Sequence, residues 1–213
     1  MINLASELQD AISTSLIDRF HESTDSFRPK LLFNDTTKGS TVLGEIENKL
    51  LDCDSFWISV AFVTKSGLIT LKDTLKELSG KNVKGRILTT DYLAFNEPDA
   101  LRELLNFPNI EVRVYTKEHF HTKGYMFKKG DVRTLIVGSS NMTQGALKAN
   151  KEWNLKITSL KQGELVADTE DEFHHMWNQA TALSEDWIHN IYEPIYLEKK
   201  RARISQQVER IRT

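Results

Sequence analysis

The sequence predicts an α/β fold: one mixed central sheet sandwiched by helices on both faces. Three observations predict it. Strand-like and helix-like segments alternate at short spacing from residue 30 to residue 180. The stretch SFWISVAFV (55–63) is a nearly unbroken apolar and β-branched run, as expected of a strand covered on both faces. Two further strand patterns, TKGYMFK and RTLIVGS, follow each other across Lys129-Gly130-Asp131, and this hairpin makes the sheet mixed rather than parallel.

The elements follow in order. Leu4, Leu8, Ala11, Ile12, Leu16 and Phe20 recur at helical spacing, so a helix is expected over 3–20. KLLFN (30–34) reads as a short strand, TVLGEIENKLLD (41–52) as an amphipathic helix, and 55–63 as the buried strand. GLITLKDTLKELSG (67–80) is a helix with Gly80 at its C-terminal end. VKGRILTT (83–90) is a strand, and EPDALRELLN (97–106) a helix with Pro98 in its first turn. IEVRVYT (110–116) alternates like a strand, and after the hairpin so does EWNLKITS (152–159). GELVADTEDEFHHMWNQA (163–180) is a helix facing inward through Val166, Phe173, Met176, Trp177 and Ala180. The tail from Trp187 reads as helical, broken near Pro194. Trp57, Trp153 and Trp177 read as core, and His174 and His175 as helix-surface residues.

At 213 residues, with 39 % apolar and 27 % charged residues, the chain has the composition of a globular domain. No apolar run nears the ~18–20 residues of a membrane span, so no membrane association is expected. MINLASELQD lacks a basic segment followed by an apolar block, and the single Cys53 excludes an internal disulfide, so a cytoplasmic location is expected. Net charge is −2, but its distribution is uneven. Arg113 to Arg133 holds six basic residues against two acidic, and Lys199 to Thr213 holds six against one. Such stretches either form solvated surface or attract phosphate. Residues 1–185 are expected to form one domain, and 186–213 a basic helical tail or linker leading to a further domain.

The chemistry is concentrated between His121 and Asn154. His121 and Lys123, two apart on a strand, face the same way. A neutral imidazole can attack phosphorus, and the neighbouring ammonium can hold a phosphoryl oxygen. His-x-Lys alone is nonspecific. IVGSSN adds a strand running into Gly138, followed by Ser139 and Asn141. As a purely structural feature this is a strand-to-helix turn in which Asn141 and Gln144 form a weak capping box. As a functional one it aims backbone N–H groups, the Ser139 hydroxyl and the Asn141 amide at a phosphate. Glu152 opens the next strand, either as a solvated carboxylate or as the acceptor that fixes the His121 tautomer. Thr64, Lys65, Thr90 and Asp91 follow strands and could rim a crevice. His119-x-His121 could begin a zinc site, but Cys53, His174 and His175 do not complete one.

Taken together, His121-x-Lys123, Gly138-Ser139-x-Asn141 and Glu152 within NKEW resemble the phospholipase D superfamily, most closely its small nuclease branch with a single His-Lys motif. SVAFVTKSGL, TTDYLAFNEPDAL and the basic tail also resemble the phospholipase-D-like domain that precedes bacterial superfamily-2 helicase modules. The full family motif has an aspartate seven residues after the histidine, where this chain has Lys128; the nuclease branch tends to lack that aspartate. The resemblance implies an endonuclease-type phosphodiesterase acting on nucleic acid, with DNA the favoured substrate. His121 would form a covalent phosphohistidine, Lys123, Ser139 and Asn141 would bind phosphate, and Glu152 would orient His121, with no metal and no cofactor. It also implies a homodimer sharing one active site, and a fused or associated helicase. Two other readings are a noncatalytic nucleic-acid-binding module of a helicase and a lipid phosphodiesterase.

Overall fold

The computed structural model describes residue 5 and residues 24–35, 37–117 and 119–212, and the helix expected over 3–20 lies outside these. The described residues contain an eight-stranded mixed sheet with helices on both faces. Its strands are β1 (Lys30–Leu32), β2 (Ser55–Val60), β3 (Lys84–Thr90), β4 (Ile110–Tyr115), β5 (Lys123–Lys129), β6 (Val132–Gly138), β7 (Asn154–Leu160) and β8 (Thr181–Ala182), in the spatial order β1-β7-β6-β5-β2-β3-β4-β8. β2, β3 and β4 are parallel neighbours, and every other pairing is antiparallel.

Helices α1 (Val42–Leu51), α2 (Lys65–Gly80) and α3 (Pro98–Leu104) cover one face. They bury Ile46, Leu50, Leu71 and Leu75 against Phe56, Ile58, Ile87 and Tyr125. Helix α4 (Gln144–Lys148) follows β6, and α5 (Glu164–Gln179) covers the other face, packing Val166, Phe173 and Trp177 on Trp57, Leu88 and Met126. This division follows the strand alternation: Phe56, Ile58 and Val60 point one way and Trp57 the other.

Beyond β8, the short α6 (Glu185–Trp187) runs through a π-helical turn (Ile188–Tyr192) into α7 (Glu193–Arg212). One expectation is corrected here. Pro194 does not break the tail: the turn before it is π-helical, with the Glu193 N–H bonded to the Ile188 carbonyl, and the helix runs on through Pro194 as α7. Past residue 185, Trp187, Ile188 and Tyr192 are buried in the main core, and Arg102 of α3 holds Glu193 through a two-point ion pair.

Candidate functional site

Register brings the sequence candidates to one edge of the sheet. Val60 pairs with Lys123, and Gly138 with Asn154. The ends of β2 and β6 therefore meet the beginnings of β5 and β7, because each pair runs antiparallel. Phe62, His121, Lys123, Ser139 and Glu152 all lie along this edge.

His121 lies two residues before β5 rather than within it, and it is exposed while Lys123 is buried. The side chains share a side all the same. Lys123 Nζ stands 2.6 Å from His121 Nδ1 and donates to the His121 carbonyl oxygen at 2.7 Å. Burial pushes the Lys123 ammonium below the usual lysine range, and the nearby Glu152 carboxylate partly opposes this. A protonated Lys123 can only donate, so Nδ1 is the acceptor and the imidazole proton sits on Nε2.

The Gly138-Ser139-Ser140-Asn141 turn is held rigidly. A Cβ on Gly138 would lie 2.2 Å from the Trp153 carbonyl oxygen, so only glycine lets β6 end against the start of β7. The fully buried Tyr125 donates its hydroxyl to the Ser140 carbonyl at 3.0 Å, and burial raises its pKa. The Ser139 N–H donates to the Trp153 carbonyl, the Ser140 N–H to Asn154 Oδ1 and the Met142 N–H to the Phe62 carbonyl. These amides hold the turn together, so they are not aimed at a ligand as expected. Asn141 is not a helix cap either. Thr143 caps α4 through the Ala146 N–H, and Asn141 Oδ1 instead accepts from the Phe62 N–H at 3.0 Å, which leaves its Nδ2 to donate elsewhere.

Glu152 lies in the loop before β7, not within it, and among the described residues it accepts from the Ser139 hydroxyl at Oε2 and from Asn150 Nδ2 at Oε1, not from His121. Part of the basic stretch is engaged in ion pairs away from this edge. Lys128 and Arg133 are at the far end of β5 and β6, where both pair with Glu170, and Lys129 pairs with Asp52. Lys128, at the position of the missing aspartate, lies over the Trp57 ring at 4.1 Å. Of the rim candidates, Thr64 caps α2, Thr90 donates to the Tyr115 carbonyl, and burial raises the Asp91 pKa. Trp153 is not core: it is 74 % exposed beside Glu152. Among the described residues no group of three or more His, Cys, Asp or Glu side chains could hold a metal ion, and no helix is long and apolar enough to cross a membrane.

Sequence reading missed Phe62. Its ring meets His121 edge-on at 5.5 Å, its N–H fixes Asn141, and Lys123 Nζ lies 6.0 Å from its ring centre. One residue thus meets His121 and Lys123 through its ring and Asn141 through its backbone. The run SFWISVAFV marks Phe62 only as the end of a buried strand, and nothing local distinguishes it.

No curated protein matches the chain. Several solved structures share its fold. Nuc from Salmonella typhimurium, a phospholipase D family member, aligns over 74 % of this chain and 100 % of its own, with 17 % identity and a TM-score of 0.59. NucT from Helicobacter pylori aligns over 74 % and 99 %, with 16 % identity and a TM-score of 0.57. Phosphatidylserine synthase from Haemophilus influenzae Rd KW20 aligns over 94 % of this chain but 52 % of its own, with 18 % identity and a TM-score of 0.65. The family model described as "Cardiolipin synthase, PLD-like domain" matches residues 49–177, which hold every site residue above, and with more than half its length inside that match the chain belongs to this phospholipase-D-like family.

Proposed function

We propose that the protein is a phosphodiesterase that cleaves nucleic acid through a covalent phosphohistidine on His121, without a metal. The contact between Lys123 Nζ and His121 Nδ1 carries this reading, because it sets an ammonium beside an exposed imidazole at a sheet edge. A phosphodiester drawn to Lys123 and to Asn141 Nδ2 displaces the ammonium from Nδ1. The Ser139 hydroxyl turns to a phosphoryl oxygen. The exposed imidazole then gives its Nε2 proton to water and takes one on Nδ1, and the Nδ1–H donates to Glu152, released from Ser139. The Nε2 lone pair then forms the N–P bond as the P–O bond to the leaving group breaks. The leaving oxygen needs a proton, and His121 of a second copy supplies it. That histidine, now a base, activates the water that releases His121. Preplaced donors stabilise the charge that develops on phosphorus oxygens.

Nucleic acid is favoured over lipid because this chain matches whole Nuc and NucT chains but about half of phosphatidylserine synthase. A chain with one His-x-Lys motif must complete the site with a second copy, hence a homodimer. The basic α7 is read as a connector to a helicase-type module, within a cytoplasmic protein. Phosphatidyl transfer is the second reading, favoured by the synthase neighbour and by the description of the family model.

Plasmid, single-stranded DNA, RNA and phospholipid vesicles, each incubated in EDTA with wild type and His121→Ala, test the proposal. Cleavage of a nucleic acid that survives chelator and is lost in His121→Ala is expected, with acid-labile phosphate trapped on His121. Wild-type rates in a folded His121→Ala protein, or cleavage of lipid alone, would overturn it.

A further inference from the structure

A cavity of about 470 Å³ opens between α5 and the sheet, and His121, Lys123 and Gly138 line it at the site edge. Its walls are Trp57, Met126 and Leu135 from the strands and Phe173 and Met176 from α5. Ser59 and Thr122, the polar groups of its strand side, are hydrogen-bonded to each other at 2.6 Å, which leaves one hydroxyl proton to donate into the cavity. The volume lies in the range of sites for small organic groups.

Gly124 lies inside β5 and lines this cavity. Its φ is not positive, and a Cβ built on it meets no heavy atom within 4 Å. Neither backbone conformation nor crowding requires a glycine there. A glycine inside a strand weakens the strand, and one that nothing in the fold demands leaves room for close approach of a ligand. Here the missing side chain widens the slot next to Lys123.

On the reading of His121 as a phosphodiester nucleophile, we propose that this cavity takes the unpaired base of the nucleotide at the scissile phosphate, so that the protein cuts single strands in preference to duplex. The occupant is bonded to a phosphate at His121 and must suit apolar and aromatic walls, as the π-face of a base does. At the α5 rim stand Asp168 and Glu172, both exposed and neither ion-paired among the described residues. Carboxylates there accept the N–H groups on a base edge. They also repel the second phosphate backbone of a duplex, and a hydrocarbon chain gains nothing from them. A base stacked and paired in a duplex reaches such a slot only by being extruded, which costs free energy that a single strand does not spend.

The test compares end-labelled single strands, the matching duplex, and strands in which one abasic residue is stepped along the sequence. Wild type is expected to cut the single strand at least about tenfold faster than duplex, and an abasic residue beside the scissile phosphate to slow cutting there by about tenfold, as loss of one stacked base implies. Gly124→Leu fills the slot and should collapse the ratio of intact-strand to abasic-strand rates towards one. Met176→Trp fills it from the helix side, should Gly124→Leu fail to fold. His121-dependent cleavage that ignores both the abasic residue and the filled slot would overturn this proposal alone. Cleavage of phosphatidylethanolamine vesicles that the filling variants abolish would overturn it by giving the slot to a lipid. No His121-dependent cleavage of any of these substrates would overturn the phosphodiesterase reading and this proposal with it.

Discussion

Lys123 is the residue where function and stability pull apart. Burial disfavours its charge, so its folded pKa lies below the usual value near 10.4. The folded protein therefore binds this proton less tightly than the unfolded chain does. The stability penalty is full at pH below the folded pKa and disappears as pH rises past the unfolded value. Two outcomes are expected. Phosphodiester cleavage should fall on the alkaline side through the lowered Lys123 pKa, and Lys123→Met should lose about 10²–10³-fold in rate, the usual cost of removing a charge-stabilising donor. The same variant should melt no lower than wild type at pH 7, with any advantage shrinking towards pH 10. A Lys123→Met protein that melts well below wild type at pH 7 would show that the ammonium stabilises the fold. Cys53 is the opposite case: burial pushes its thiol up to about 11, its Sγ–H donates to the Leu50 carbonyl, and it has no part in the site.

Among the elements, α7 is the one that reaches the site from a distance. Arg203 donates to the carbonyls of Leu93 and Ala94, two residues held at φ of 60° and 50° in the left-handed region. Non-glycine residues there cost about 1–3 kcal/mol each and persist only where surrounding contacts impose them. The Arg203 guanidinium also lies over the Phe95 ring at 4.4 Å, Phe95 meets Phe62 at 4.9 Å, and Phe62 meets His121. A chain of edge-to-face ring contacts thus joins the last helix to His121. Arg203→Ala should relax the 92–95 segment and lower kcat several-fold with little change in KM, since α7 contributes no phosphate contact. Arg203→Lys keeps the cation over Phe95 but loses the fork, and should recover part of the rate. Steady-state kinetics on one oligonucleotide distinguish these outcomes; a rise in KM alone would place Arg203 in substrate binding.

At the scale of the whole molecule, α5 leaves part of its sheet face bare. Leu31, Val137 and Leu155 are cross-strand neighbours on β1, β6 and β7, all exposed, and the exposed Trp153 continues the stripe to Glu152. An apolar stripe of this kind marks an interaction surface. It adjoins the site that the proposed mechanism completes with a second copy. Trp153→Asp should therefore give a folded monomer by sedimentation with little activity. In mixtures of wild-type and His121→Ala chains, activity should follow the square of the wild-type fraction, because only dimers with two histidines turn over. A linear fall, or a fully active monomer, would rule out the shared site.

The sequence by itself determined the alternation of strands and helices, the mixed sheet and the grouping of His121, Lys123, Ser139, Asn141 and Glu152. These rest on local periodicity and on motif spacing within one short stretch. Tertiary structure decided the rest. Phe62, Phe95 and Arg203 meet only because the ends of β2, the segment after β3 and α7 converge, and no local pattern records that convergence. Trp153 looked like core by residue type, yet α5 stops short of it. Charge counting left the basic stretch either as solvated surface or as a phosphate patch, and the fold pairs Lys128, Lys129 and Arg133 with Glu170 and Asp52, which lie far away in sequence. Glu152 was recognisable as a candidate, but the fold chose Ser139 as its partner, because hydrogen bonds across loops depend on distances that spacing along the chain does not contain.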